Sequence, residues 1–315
     1  QALIRVRFVG LCGTDLAIVR GHLPTSTPLI LGHEFTGIVE EVGEKVDPSW
    51  IGKRVTSEIN ANVDFDCFFC KRKEFTQCVS RKALGIDIDG ALAEYIAVDA
   101  YLLHEVPPSI DMEQATFIEP LAAAYQTFEM MPLSKDDRIM AIFGLGKLGL
   151  LIVQVAHAVG LELICVDGSE EKLKLARSFG ARHLINRLET PDIPERIREL
   201  TNGVGADMVV DSSGNPDAFD DVIASCRTLG KIHVKSTHGV KTPINLTELV
   251  VKEITMYTSR CGPFEKAIEG LMSGNVQVKE MISERYPLRK IKEAFSSYGN
   301  NRDHVKTIVE INENI

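Results

Sequence analysis

The sequence predicts an α/β protein in two parts: a β-rich region, then a doubly wound parallel sheet, with a closing segment that rejoins the first part. Three observations point there. Short β-type runs separated by Gly and Pro fill the chain to about residue 115. From about Asp137 strand-like and helix-like runs alternate, the signature of a parallel sheet with helices on both faces. The length, 315 residues, leaves room for two domains of ordinary size.

The elements follow in order. IRVRFVG (4–10), GIVEEVG (37–43) and AEYIAV (93–98) are β-type runs bounded by turn residues. In the second part the strand-like runs are IMAIF (139–143), LICVD (163–167), HLIN (183–186), DMVVD (207–211) and KIHVKS (231–236). Between them lie LGLLIVQVAHAV (148–159), EEKLKLARSF (170–179), IPERIREL (193–200) and AFDDVIASCRTL (218–229), whose apolar residues recur at helical spacing. After Gly262 two amphipathic helices, FEKAIEGLMSG and LRKIKEAFSSYG, precede a last strand, VKTIVEI. The expected division is 1–119 with 262–315 as one domain and 120–261 as the other. No internal repeat or low-complexity tract interrupts it.

Composition narrows the function classes. With 44% apolar and 25% charged residues the chain is that of a soluble globular protein. A net charge of −9 without a basic block argues against nucleic acid as a partner. The longest apolar run, near Leu148 to Val166, is broken by His157 and Glu162 and falls short of the roughly 20 residues of a membrane span. The beginning, QALIRVRFVG, has no signal-peptide layout. Seven cysteines are an odd number, and three form the cluster C-x₂-C-x₇-C at Cys67, Cys70 and Cys78. That favours metal ligation in a reducing compartment, expected to be the cytoplasm, over a disulfide framework.

Gly144-Leu145-Gly146-Lys147-Leu148-Gly149 fits G-x-G-x-x-G, follows the strand IMAIF and opens a helix. The next strand ends on Asp167, 21 residues after Gly146. This is the context a Rossmann dinucleotide site requires. Gly144 is expected to make the turn, Gly146 to admit the pyrophosphate at the helix N-terminus, and Gly149 to let the helix pack on the strand. Asp167 is expected to accept the adenosine ribose hydroxyls and to repel a 2′-phosphate, so that NAD is preferred over NADP.

Three further stretches, GLCGTD (10–15), LGHE (31–34) and FIEPLA (117–122), say little alone. Together with GHEFTGIVEEVG, GKRV, the cysteine cluster, DGALAEY and GLGKLG, in this order, they resemble the zinc-dependent medium-chain alcohol dehydrogenases, in particular the sorbitol, threonine and glucose dehydrogenase branch. The likeness spans essentially the whole chain and implies further residues ahead of Gln1. It implies a GroES-like catalytic domain joined to a Rossmann NAD-binding domain. Cys12, His33 and Glu119 would hold a catalytic zinc, with Glu34 beside it and able to coordinate. Asp15 would orient His33, and Thr14 would take the proton of the alcohol. The frequent relay histidine is replaced by Ala17, which leaves His22 or water as the proton's exit. Leu148 would pack on the nicotinamide, Lys172 would touch the adenosine ribose, and Lys306 the pyrophosphate.

Members with a structural zinc carry four cysteines, and the first of these positions is Asp64 here. The implied set is Asp64, Cys67, Cys70 and Cys78, against an empty lobe or a Cys67–Cys70 disulfide. A carboxylate is a competent zinc ligand, so the exchange keeps the site possible. The implied activity is hydride transfer between a secondary alcohol, polyol or sugar and NAD, in a homodimer or homotetramer. The rivals are a zinc-free reductase of the same superfamily, which would lack the Cys12, His33 and Glu119 set, and a silent NAD-binding protein.

Overall fold

A computed structural model describes residues 1–237, 239 and 241–312. In chain order the strands are β1 (Ala2–Gly10), β2 (Glu34–Val42), β3 (Arg54–Ser57), β4 (Asn60–Ala61), β5 (Lys82–Ala83), β6 (Tyr95–Val98), β7 (Leu103–Glu105), β8 (Ile139–Phe143), β9 (Glu162–Asp167), β10 (His183–Asn186), β11 (Ala206–Asp211), β12 (Cys226–Val234), β13 (Thr255–Thr258), β14 (Ile282–Pro287) and β15 (Lys306–Glu310). The helices are α1 (Gly13–Val19), α2 (Ile118–Met130), α3 (Lys147–Ala158), α4 (Glu170–Ser178), α5 (Ile193–Leu200), α6 (Phe219–Ser225), α7 (Leu246–Val251), α8 (Phe264–Met272) and α9 (Ile291–Asn300). Two compact units emerge: residues 1–119, 264–272 and 281 onward form unit 1, and 120–263 with 273–280 form unit 2.

Unit 1 is built on a sheet of order β14-β15-β1-β2-β3-β7, with β6 paired to β1. β1 is its hub. Ala2, Ile4 and Val6 turn inward while Arg5 and Arg7 stay partly exposed, as the two-residue period of a strand requires. Its inward residues pack with Leu11, Phe35, Val39 and Leu102. Where β1 ends, the Leu11 N–H bonds the Thr307 carbonyl at 3.0 Å, which seats the following turn against β15.

Unit 2 is a six-stranded sheet of order β10-β9-β8-β11-β12-β13 with every pair parallel. This is the doubly wound order, and the winding reverses between β8 and β11, where such sheets open a crevice beyond their carboxyl ends. β8 and β9 are buried nearly throughout, as strands covered on both faces must be.

Two features depart from the sequence reading. The helix expected over 218–229 stops at Ser225, and Cys226 already belongs to β12. The Lys252 ammonium accounts for this, donating to the carbonyls of Ile223, Ala224 and Cys226 at 3.1, 3.2 and 3.3 Å. A cation there satisfies carbonyls that a longer helix would have bonded internally. The closing segment is also divided. Residues 273–280 go with unit 2, held where the Gln154 amide donates to the Gln277 carbonyl (2.9 Å) and accepts from its N–H (2.7 Å). Among the described residues no helix is long and apolar enough to cross a membrane.

Candidate metal and dinucleotide sites

The first site of unit 1 grows from the turn after β1. Cys12 precedes α1, and Asp15, fully buried in the helix's first turn, reaches back so that Oδ2 accepts the Cys12 N–H at 2.8 Å. Its other oxygen accepts the Gly32 N–H at 3.3 Å and lies 3.4 Å from His33 Nδ1. Asp15 thus ties the Cys12 turn to the start of β2, and Nδ1 meets it without a well-aligned hydrogen bond. Burial disfavours the charged imidazole, yet the Asp15 carboxylate, and after it the Cys12 thiol, outweigh burial and hold the His33 pKa well above its ordinary value.

Glu34 opens β2 and is buried. Its Oε2 is ion-paired to the Lys306 ammonium, which is fully buried and stands 5.1 Å from the centre of the Phe117 ring. Gly10 lies opposite Glu34 in the β1–β2 register, and a Cβ there would run into the Lys306 side chain. A glycine is needed because that space is filled by the lysine. Lys306 was expected on the pyrophosphate; the structure sets it against the carboxylate of this cluster. The ligand atoms of Cys12, His33 and Glu34 lie within 4.8 Å of one another. Glu119, second residue of α2 and half-buried, is outside that group. Thr14 Oγ1 is 3.8 Å from Cys12 Sγ, and His22 is exposed on the loop after α1.

The second cluster of unit 1 is the cysteine lobe. Asp64 Oδ1 accepts the N–H groups of Asp66 and Cys67, each at 2.9 Å, and Oδ2 accepts the Ser80 hydroxyl at 3.0 Å. The backbone bonds, from Cys67 first and Asp66 next, hold its carboxyl well below the usual carboxylate range. Cys67 and Cys70 have their sulfurs 3.6 Å apart and all seven cysteines are free, so no disulfide joins them. The ligand atoms of Asp64, Cys67, Cys70 and Cys78 lie within 4.8 Å of one another. Burial, then its neighbours Cys67, Cys78 and Asp64, push the Cys70 thiol up to about 12, while backbone N–H groups pull Cys67 down. Apart from Val63 this lobe has almost no apolar core of its own.

In unit 2 the glycine fingerprint joins β8 to α3. Gly144 has φ +87°, and a Cβ on it would collide with the Ser213 backbone. A Cβ on Gly149 would collide with the Gly144 carbonyl, whereas around Gly146 no heavy atom lies within 4 Å of that position. The turn therefore packs through two glycines and leaves the third open beside the helix N-terminus. Asp167 ends β9, its Oδ2 accepting the Leu145 N–H at 2.7 Å and its Oδ1 the Ser169 N–H at 2.9 Å. A cleft of ≈ 400 Å³ beyond these strand ends is lined by Gly144, Asp167, Arg187, Ser213, Asp217 and Asp221 among others. Leu148 is half-buried in the first turn of α3, and Lys172 lies in the first turn of α4, its N–H on Ser169 Oγ at 3.2 Å. Phe117, Gly10, Ser80 and Arg187 went unread in the sequence. Only Gly10 and Phe117, at the edges of GLCGTD and FIEPLA, carried any signal there.

Known proteins resemble this chain along both units. Residues 1–108 match the alcohol dehydrogenase GroES-like domain, and residues 148–274 the zinc-binding dehydrogenase domain. A sorbitol dehydrogenase of Halalkalibacterium halodurans is 32% identical over 301 residues, covering 94% of this chain and 87% of the relative. Among solved structures, a "short chain alcohol dehydrogenase" of Escherichia coli complexed with NADH superposes with a TM-score of 0.90 at 25% identity, over 98% of this chain and 91% of that one. A zinc-binding dehydrogenase of Sinorhizobium meliloti bound to NADP gives 0.89 at 27% identity, over 98% and 92%. With relatives of this identity along almost its whole length, the chain belongs to the zinc-type medium-chain alcohol dehydrogenase family.

Proposed function

We propose that the protein is a zinc-dependent dehydrogenase that interconverts a secondary alcohol or polyol with its carbonyl compound, hydride and cofactor balancing as R₂CHOH + NAD⁺ → R₂CO + NADH + H⁺. Unit 1 serves as the catalytic domain and unit 2 as the dinucleotide domain. The observation that carries this reading is the convergence of half-buried Cys12 with buried His33 and Glu34, whose ligand atoms lie within 4.8 Å of one another in unit 1. The donor set fits the metal: thiolate, imidazole and carboxylate are zinc ligands, and three of them leave one position open. His33 turns Nδ1 to Asp15, so Nε2 is left for the ion. When bound, zinc supplies Lewis-acid polarisation of the alcohol oxygen and the nicotinamide accepts the hydride.

The chain's own residues do the rest. Asp15 fixes the tautomer and tilt of His33, and Lys306 balances the buried charge of Glu34. Thr14 Oγ1 takes the alcohol proton and, with Ala17 in the relay position, passes it to water or His22. Glu34 is assigned as third ligand, because its oxygen and not that of Glu119 lies in the cluster. Asp64, Cys67, Cys70 and Cys78 form the structural site, whose closed set of four leaves no position for substrate. In unit 2 the open backbone at Gly146 receives the pyrophosphate and Asp167 the ribose.

Exposed Leu246, Val250 and Val251 on α7, together with Met256 on the edge strand β13, favour a homo-oligomer. Seven free cysteines favour the cytoplasm. The test is a screen of alcohols, polyols and sugars with NAD, combined with metal analysis of the parent chain, H33A, E34Q and E119Q. H33A should lose turnover yet still bind dinucleotide, and E34Q should lose the catalytic zinc that E119Q keeps. Turnover that survives both H33A and exhaustive chelation would leave a zinc-free reductase as the better reading.

A further inference from the structure

The cleft of unit 2 contains a cation that the reading above leaves without a role. Arg187 directly follows β10, and its N–H bonds the Asp167 carbonyl at 3.0 Å, which pins it beside the end of β9. Its exposed side chain lines the cleft with Asp167 and lies across Gly168, where a Cβ would stand 3.1 Å from Nε and 3.5 Å from the guanidinium carbon. Arg177, Arg182, Arg196, Arg198 and Arg227 of the same unit all donate to carbonyls or carboxylates. The Arg187 guanidinium has no such partner among the described residues.

An unpaired guanidinium with its fork of donors free is a receptor for an oxyanion, phosphate above all. Its place decides which phosphate. Asp167 marks where the adenosine ribose is read, and an arginine near that carboxylate is how this fold accommodates a 2′-phosphate. Asp167 itself opposes such a group less than a bare carboxylate would, because each of its oxygens already holds a backbone N–H. Gly168 places no side chain between the two. Asp217 and Asp221, on the same cleft, keep its overall charge negative.

We propose that Arg187 receives the 2′-phosphate of NADP, so that this chain takes NADP as well as NAD and the preference set by Asp167 is narrowed. The proposal rests on the dinucleotide reading of unit 2, and ligand fragments separate the two. Titration calorimetry of the full chain with adenosine 2′,5′-bisphosphate and with 5′-AMP, on the parent, R187A and R187K, reads the 2′-phosphate directly and needs neither zinc nor turnover. R187A should weaken the bisphosphate by about tenfold or more, as expected for a charged hydrogen bond, and 5′-AMP by less than about threefold. R187K should retain part of the difference, and added salt should weaken the bisphosphate more in the parent than in R187A. Equal losses for both ligands would make Arg187 an adenine or folding contact and overturn the proposal. So would no loss for either, or a parent that binds 5′-AMP but not the bisphosphate. A parent that binds neither would remove the dinucleotide reading and this proposal with it.

Discussion

Replacing Lys306 by Met tests the charge arrangement of the proposed zinc site. Methionine nearly keeps the volume, so no large cavity opens, but the Glu34 carboxylate is left buried without its ammonium. Breaking a buried pair from one side costs about 3–5 kcal/mol, and the contact over Phe117 is lost within that figure. At ~2–4 °C per kcal/mol for a domain of this size, unit 1 should melt roughly 6–20 °C lower in chelated protein. Zinc changes the balance, because a cation at Cys12, His33 and Glu34 takes over the compensation of that carboxylate. With saturating zinc the deficit of K306M should fall to less than about half. The double variant E34Q/K306M should be more stable than the sum of its parts, since removing both partners avoids the stranded charge. Calorimetric unfolding of parent and variants with chelator and with zinc measures all of this, each unit's transition being followed separately. An unchanged melting temperature for chelated K306M, or the same deficit with and without zinc, would mean that Lys306 does not compensate the Glu34 carboxylate.

Three other outcomes are expected. D64A should lose one of two zincs per chain and soften the cysteine lobe while the Cys12 metal stays; D64C should hold both, and a parent chain with a single zinc would remove Asp64 from the ligand set. D137N removes the carboxylate partner (2.7 Å) of half-buried Lys231, which keeps its bond to the Pro132 carbonyl, and should cost about 1.5–3 kcal/mol by thermal unfolding at pH 7. Burial alone would raise the Asp137 pKa, but hydrogen bonds from Lys231 and Ser134 lower it overall, so its stabilisation is present at neutral pH and is lost as pH falls through the folded value below about 4. The parent should lose more stability than D137N on acidification, and parallel acid curves would count against the pairing. Finally, T255P on the edge strand β13 should yield monomers by light scattering from a parent that is a dimer or tetramer, and a monomeric parent would dispose of the interface.

Much of the site was legible because its signals are local. The strand–turn–helix around Gly144, Gly146 and Gly149 sits in one stretch, and Cys12, His33 and Asp64, which the fold gathers into two clusters, are marked by their immediate neighbours. The alternation of strand and helix runs was enough to place β8–β12 in a parallel sheet. The end of α6 was not legible, because it depends on Lys252, whose ammonium takes the carbonyl of Ile223, 29 residues away in the chain. Nor was the docking of 273–280 on unit 2, which rests on Gln154 meeting Gln277 across 123 residues.

By itself, then, the sequence determined the family, the winding of the second sheet and the residue types available to metal and cofactor, since each is written in short runs of neighbouring residues. Only the packing of the chain showed that the Glu34 carboxylate lies within 4.8 Å of the ligand atoms of Cys12 and His33. It put Lys306 on Glu34 across 272 residues and, among the described residues, gave the Arg187 guanidinium beside Asp167 no carboxylate or carbonyl partner. Charges act through space, at distances set by how β1, β2 and β15 pack. A cation's role therefore depends on which carboxylate the fold brings within a few ångströms of it, or fails to bring.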